Sequence, residues 1–315
     1  MKILLVEDSI VERYQVGKHL TEWGLDYIAV GSGTEAVKLL EAPNPPSLVL
    51  LDWLLPGFDG IDVCRRIREL EKNGTYTYTV MLTAKNRKQD LLTAMEAGAD
   101  DYLAKPVDPS ELRARILAGK RILELQQRLQ FAATHDFLTN LLNRSEILSV
   151  LQREFSRCER EGNPATVILA DIDHFKRIND SLGHAAGDEV LKAVGGRLRS
   201  DLRPYDVVGR YGGEEFLLIL PGCDLATGRR RADEIRDLVG KDPISTPLGP
   251  ASATISMGVT LTSFSPERSV SETLCQADSA LYEAKRNGRN RVEVFSAASP
   301  AFGQPNAKSA GKGKA

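Results

Sequence analysis

The residues Tyr211 to Leu220, YGGEEFLLIL, bring together a pair of glycines, two adjacent carboxylates and an apolar run. Gly212 and Gly213 predict a two-residue hairpin turn at positive φ, and Phe216 to Leu220 predict a strand covered on both faces. Glu214 and Glu215 then stand where the strand leaves the turn, a place for a cation or a proton. Taken alone, the pentapeptide reads better as a solvated acidic hairpin tip. About forty residues earlier, however, a second apolar run, Thr166 to Ala170, delivers Asp171 at its end. Two strand ends carrying Asp171 and Glu214 are candidates for neighbours in one sheet. Such a pair suits a hard divalent cation, and Mg²⁺ held by a few carboxylates takes its remaining ligands from phosphates and water.

A second group of acids lies near the start of the chain. Ile3 to Val6, Asp26 to Val30, Leu48 to Leu51, Thr79 to Leu82 and Asp101 to Leu103 are short apolar or β-favouring runs separated by segments at helical spacing. Five such units predict a parallel sheet with helices on both faces. Functional groups of these sheets gather at the carboxyl ends of the strands, which is where Glu7, Asp8, Asp52, Thr83 and Lys105 fall. Three clustered carboxylates repel one another unless a cation sits among them, and the same cation screens an incoming phosphoryl donor.

The elements that must position these groups divide into two domains, as 315 residues lead one to expect. We expect a domain over residues 1–120, a helical linker over 121–134, a second domain over 135–296 and a disordered tail over 297–315, rich in Ala, Gly, Ser, Pro and Lys. The linker belongs to a longer helical stretch from Pro109 to Thr134, with apolar stripes at Leu112, Ile116 and Leu123 and at Ile122, Leu125 and Leu129. It reads either as a helix packed on its own domain or as a short two-stranded coiled coil. Hydrophobic residues make up 42% of the chain and the net charge is −2, enough apolar content for real cores and no overall attraction for nucleic acid. Met1 leads straight into KILLV, without a signal peptide or a membrane-spanning run, so the expected location is cytoplasmic. Cys64, Cys158, Cys223 and Cys275 form no CxxC pattern and read as packing residues.

From Asp136 to about Phe295 the chain resembles the GGDEF family of diguanylate cyclases. The resemblance rests on DFLTNLLNR (Asp136 to Arg144), DIDHFKRIND, GHAAGD, RYGGEEF, TISMGV (Thr254 to Val259) and YEAKRNGRN (Tyr282 to Asn290), in order. It implies an α+β domain with a mostly antiparallel central sheet. It also implies Mg²⁺ held by Asp171, Glu214 and the carbonyl of Ile172, with Glu214 as proton acceptor and Glu215 beside it as a further candidate for either role. Asn179 and Asp188 match the residues that read the guanine edge, and His184 is a further substrate contact. Lys176, Lys285 and Arg289 match the triphosphate-binding cations; Lys285 and Arg289 are four apart and would share a face of a helix. Arg203 and Asp206 match an inhibitory product site of RxxD type, whose second arginine is open among Arg229, Arg230, Arg231 and Arg236.

Over roughly residues 1 to 120 the chain resembles the receiver domain of response regulators, a flavodoxin-like fold. The resemblance assigns Glu7 and Asp8 to Mg²⁺, Asp52 to phosphorylation, Thr83 and Lys105 to the phosphoryl group, Tyr102 to the aromatic switch, and the carbonyl of Leu54 to the metal. It also implies a cis bond between Lys105 and Pro106.

Together the resemblances imply a phosphorylation-regulated enzyme that condenses two GTP into cyclic di-GMP, working as a homodimer, with a sensor histidine kinase as partner and neither nucleic acid nor membrane. A non-catalytic cyclic di-GMP receptor is the alternative; intact Gly212, Gly213, Glu214 and Glu215 speak against it. A transcription-type regulator would need a basic helix-turn-helix after the stalk, and none is present.

Overall fold

A computed structural model describes residues 1–71, 76–84, 88–262 and 269–296, the side chains of 88–90 excepted. The tail expected over 297–315 lies outside the described residues. The chain divides into two compact units, Met1–Gln130 and the residues from Phe131 onward.

The first unit alternates strand and helix: β1 (Ile3–Val6), α1 (Ile10–Glu22), β2 (Tyr27–Val30), α2 (Gly33–Leu40), β3 (Leu48–Asp52), α3 (Gly60–Leu70), β4 (Tyr78–Thr83), α4 (Lys88–Glu96), β5 (Asp101–Ala104) and α5 (Pro109–Thr134). The strands form one parallel sheet in the order β2-β1-β3-β4-β5. β1, β3 and β4 are buried along their whole length, which explains why they read as unbroken apolar runs. Successive residues feed opposite faces: Leu4, Val6, Val49 and Leu51 join one core, and Ile3, Leu5, Leu48 and Leu50 the other. Several helices begin on a side-chain cap of the S/D-x-x-E/D kind, with Ser9, Ser32 and Asp59 accepting from the backbone N–H groups of Glu12, Glu35 and Asp62.

The second unit holds α6 (Arg144–Glu161), β6 (Ala165–Ile172), α7 (Phe175–Ser200), β7 (Val207–Arg210), β8 (Glu215–Pro221), α8 (Leu225–Gly240), the hairpin β9 (Ile244–Thr246) and β10 (Gly249–Ala251), β11 (Ile255–Leu261), α9 (Val270–Arg286) and β12 (Val292–Val294). Its main sheet runs β12-β11-β6-β8-β7, antiparallel except for the β11/β12 pair. Here too parity sorts the strands. Ile168, Ala170, Phe216, Leu218 and Leu220 pack into one core, and Val167, Leu169, Leu217 and Ile219 into the other with Ala277 and Leu281 of α9.

Two sequence expectations change. Gly212 and Gly213 are absent from the positive-φ glycines, and the connection between β7 and β8 runs over Tyr211–Glu214, closed by Tyr211 N–H donating to the Glu215 carbonyl at 2.8 Å. A Cβ at Gly212 would lie 2.5 Å from Glu215 Oε2, so a side chain there would push that carboxylate aside. Of the four cysteines, Cys64, Cys158 and Cys223 are buried but Cys275 is exposed, so it is not a packing residue.

Candidate functional site

The parity of β6 and β8 builds the first site. Asp171 pairs across the sheet with Glu215, and both follow the alternation of Val167, Leu169, Leu217 and Ile219, so they point to the face that α9 covers. Lys285, in the last turn of α9, reaches down to Asp171 with Nζ 2.9 Å from Oδ2. Glu214 precedes the strand and its carbonyl accepts from Ile172 N–H at 3.2 Å, tying the hairpin to the end of β6. Burial pushes the carboxyl of Asp171 above its ordinary value even though Lys285 opposes it. Burial and the charge of Asp171 likewise raise Glu214 and Glu215. A buried carboxylate, Asp171, beside two half-buried ones that repel it is an arrangement a hard cation would relieve.

Asp173, which sequence reasoning did not single out, holds this corner together. It is buried and accepts from Thr254 Oγ1 at 2.7 Å, Ser256 Oγ at 2.6 Å and Asn290 N–H at 3.0 Å. It follows β6 in the turn that leads to α7, one residue past the end of the strand. Arg210 opens the RYGGEEF motif, but its partner was not anticipated. Its Nη1 lies 3.1 Å and 3.2 Å from the two Asp136 oxygens, while Nε and Nη2 donate to the Gly213 carbonyl at 3.1 Å and 2.7 Å. It therefore clamps the turn that opens the domain to the hairpin carrying Glu214. Asp136 also accepts from Thr139 N–H and Oγ1. Burial raises the Asp136 carboxyl, but these hydrogen bonds and the Arg210 charge outweigh it and hold it below the usual carboxylate range.

Asn179, His184 and Asp188 sit on α7, which is broken at Gly183 (φ 74°, ψ 164°) into two helical segments. Asn179 Oδ1 is buried without a hydrogen-bond partner, whereas His184, Asp188 and Lys176 are exposed. An orphaned acceptor of this kind suits the N–H edge of a base. Arg289 is not on α9 with Lys285, contrary to the expectation of a shared helical face. The helix ends at Arg286, and Gly288 (φ 115°) and Arg289 (φ 62°) turn the chain away. Its charge nonetheless acts, with Lys285, against the burial that raises the Asp171 carboxyl.

A cavity of about 380 Å³ is lined by His135, Asn140, Arg199, Arg203, Asp206 and neighbouring apolar residues. It brings Arg203 and Asp206 together but includes none of the four arginines considered from sequence. Arg230 pairs with Glu234, Arg231 with Asp201 and Glu234, and Arg236 with Asp233 and Asp237. The second arginine lining it is Arg199, which stands four residues before Arg203 in the last turn of α7.

In the first unit, Glu7, Asp8 and Asp52 each offer a carboxylate oxygen, all within 4.8 Å of one another. Glu7 and Asp52 are buried at 0% and 4% exposure. Burial raises the Glu7 carboxyl, and the hydrogen bond from Lys105 does not fully offset it. Lys105 Nζ lies 2.8 Å from Glu7, 3.0 Å from Asp52 and 2.7 Å from Glu12. Burial acts to lower the Lys105 ammonium, but these three acceptors raise it above its ordinary value. Thr83 ends β4 and is buried, Tyr102 on β5 is exposed, and Leu54 follows Trp53 in the loop after β3, with its N–H 3.4 Å from Asp52 Oδ1. The bond between Lys105 and Pro106 is cis. The donor set fits Mg²⁺.

Comparison with known proteins now places the chain. A family model for the diguanylate cyclase GGDEF domain matches residues 133–291, about half of the chain, and one for the response regulator receiver domain matches residues 3–117. The response regulator PleD of Caulobacter vibrioides is 35% identical over 302 residues, covering 92% of this chain and 65% of PleD. Diguanylate cyclase DgcP of Pseudomonas aeruginosa is 42% identical over 54% of this chain and 25% of its own length. Among solved structures, the coiled coil and GGDEF domain of DgcB from Caulobacter crescentus, in complex with c-di-GMP, is 31% identical with a TM-score of 0.54, covering 59% of this chain and 97% of that one. Diguanylate cyclase SiaD of Pseudomonas aeruginosa, in complex with its activator SiaC, is 34% identical with a TM-score of 0.51 over 66% of this chain and 78% of that one. The chain thus belongs to the GGDEF diguanylate cyclase family and carries a response regulator receiver domain ahead of its GGDEF domain.

Proposed function

We propose that the protein condenses two GTP into cyclic di-GMP and two pyrophosphates, under the control of phosphorylation at Asp52. The observation that carries this reading is the pairing of Asp171 with Glu215, which gathers Asp171, Glu214, Glu215 and Lys285 at one end of the β6/β8 pair. Asp171, Glu214 and the carbonyl of Ile172 would hold Mg²⁺, which supplies charge neutralisation at the phosphates. Asn179 Oδ1 accepts from the guanine edge and Asp188 accepts from its N1 and N2 donors, with His184 as a further contact. Lys176, Lys285 and Arg289 neutralise the triphosphate. A 3′-hydroxyl oxygen of one GTP bonds to the α-phosphorus of the other as the bond to pyrophosphate breaks, the leaving oxygen keeping the electron pair. Glu214 takes the hydroxyl proton, with Glu215 beside it as the alternative acceptor.

Because the product is two-fold symmetric and each domain binds one GTP, two copies of the chain must face each other. Along α5, Leu117, Ile122, Leu125 and Leu129 are exposed apolar residues, and Ile122, Leu125 and Leu129 recur at spacings of three and four, the seam of a two-stranded coiled coil. In the receiver, a sensor histidine kinase would donate the phosphoryl group to Asp52, with Glu7, Asp8, Asp52 and the carbonyl of Leu54 holding Mg²⁺. Thr83 and Lys105 engage the added oxygens, and Tyr102 follows them. No helix among the described residues is long and apolar enough to cross a membrane, in keeping with a cytoplasmic setting. Arg203 and Asp206, with Arg199 as the second cation, would bind product in the 380 Å³ cavity and slow the enzyme.

The test is incubation of the purified chain with GTP and Mg²⁺, with and without beryllofluoride, beside a Glu214→Gln variant. Cyclic di-GMP from the parent alone, increased by beryllofluoride, is the expected result. Product from both proteins, or from neither, contradicts the assignment.

A further inference from the structure

The acceptor pocket of the receiver contains one charge that the family assignment leaves without a role. Glu12 lies in the first turn of α1, its N–H capped by Ser9 Oγ, and its side chain is 45% exposed. It nevertheless extends inward to Lys105, with Oε2 2.7 Å from Nζ, as close as the buried Glu7 at 2.8 Å and closer than Asp52 at 3.0 Å. Lys105 is therefore shared by three carboxylates. Asp52 ends β3 and Glu7 directly follows β1, its N–H held by the Val30 carbonyl at 3.1 Å, while Glu12 reaches in from the rim. The other cation of this rim, Arg13, is turned onto the backbone, with Nη1 2.5 Å from the Glu7 carbonyl and 3.3 Å from that of Asp8. Among the charged groups described around the pocket, Lys105 is thus the ammonium left to meet an anion at Asp52, and Glu12 already occupies one of its donors.

We propose that Glu12 is a positioning residue that acts through Lys105 as a built-in competitor of the phosphoryl group. It satisfies the ammonium while Asp52 is bare, and it must be displaced when anionic oxygens arrive there. Two consequences follow from charge alone. The intrinsic affinity of the pocket for a phosphoryl group, or for a small anionic donor, is held down by the cost of breaking the Glu12 contact and by repulsion from its carboxylate. Once displaced, Glu12 is free at the start of α1, so occupancy of Asp52 is reported on the surface of that helix as well as through Thr83 and Tyr102. The inference rests on the reading of residues 1–120 as a phosphoacceptor domain.

Beryllofluoride binding to the full-length protein at saturating Mg²⁺ tests it, read from the emission of Trp53. That residue follows Asp52 and is 6% exposed; Trp23, the other of the two tryptophans, gives a background common to all proteins compared. Glu12→Gln keeps the shape and cap of the helix start but removes the charge. Glu12→Asp keeps the charge but withdraws it by one methylene. Glu22→Gln, at the other end of α1 where Glu22 pairs with Lys18 at 3.8 Å, controls for surface charge. Half-saturating beryllofluoride should fall about two- to five-fold in Glu12→Gln, the size of a half-exposed ion pair. Most of that fall should appear in Glu12→Asp and none in Glu22→Gln, and the difference should shrink in about 1 M salt. An unchanged or weaker affinity in Glu12→Gln, or an equal shift in Glu22→Gln, overturns the role of Glu12 while leaving the receiver reading intact. A parent protein whose emission does not respond to beryllofluoride and Mg²⁺ overturns both.

Discussion

Removing the guanidinium of Arg210 should loosen the catalytic domain at the point where its opening turn meets the signature hairpin. In Arg210→Met the apolar stem is kept, while the Nη1 donation shared between the two Asp136 oxygens and the two donations to the Gly213 carbonyl are lost. Hydrogen bonds to charged groups contribute roughly 1.5–3 kcal/mol each. The four contacts converge on only two acceptors, and Arg210 and Asp136 remain 18% and 24% exposed, so a total of about 2–3 kcal/mol is reasonable. For a domain of this size that lowers Tm by roughly 5–10 °C. Calorimetry of the full chain reads it in the transition that beryllofluoride and Mg²⁺ leave in place, since these ligands stabilise the receiver. The pH dependence has a definite sign. Asp136 is held below its ordinary value, so its contribution is complete above the unfolded pKa of about 3.9 and is lost as pH falls through the folded value. The gap between parent and variant should be full at neutral pH and narrow as pH falls below about 4, the part due to the Gly213 carbonyl remaining. Cyclic di-GMP synthesis should fall about tenfold or more because Glu214 rides on the released hairpin. Arg210→Lys should recover less than half of the stability, lacking the planar fork. A variant that melts within a degree or so of the parent, or a gap indifferent to pH, would refute this account of the clamp.

Three further outcomes are expected. Gly187→Ala would place a Cβ 1.9 Å from Asn179 Oδ1, displacing that side chain while adding up to about 1 kcal/mol of helix propensity; KM for GTP should rise several-fold without loss of stability, and steady-state kinetics beside thermal unfolding will show whether it does. Asp171→Asn should cut GTP turnover by at least about a hundredfold and weaken Mg²⁺ activation, measured as product against Mg²⁺ concentration; an unchanged Mg²⁺ curve would remove Asp171 from the metal. Arg203→Ala should relieve inhibition by added cyclic di-GMP, and Arg199→Ala should relieve it in part, read from initial rates; equal inhibition in all three proteins would dissociate the cavity from control.

β1, β3 and the middle of β8 were legible because burial on both faces leaves no polar residue to interrupt them. LVLL and FLLIL each read as a strand from composition, and the acids at their ends marked the sites. Parity carried as far as Asp171, which alternates with Leu169 on one face of β6; Asp173 lies past the strand end, and its partnership with Thr254 and Ser256 is set by the turn. Contacts set by tertiary packing had no such signature. Arg210 and Asp136 are 74 positions apart; each opens a motif quoted from sequence, but no spacing rule pairs the two. The grip of Glu12 on Lys105 joins a surface helix to the far end of a sheet. Local spacing also misled where the chain bends. Lys285 and Arg289 have helical spacing, but the helix stops between them at Asn287 and Gly288. Gly212 was read for its dihedral freedom, but its φ is not positive; what it does leave open is the space that Glu215 Oε2 occupies.

The central claim is that this chain joins two GTP molecules through Asp171 and Glu214, and the stoichiometry of the reaction tests it most directly. Purified protein with GTP and Mg²⁺ should release two pyrophosphates for each cyclic dinucleotide containing two guanines, and Glu214→Gln should release neither. Pyrophosphate without cyclic dinucleotide, or no turnover with and without beryllofluoride, would contradict it.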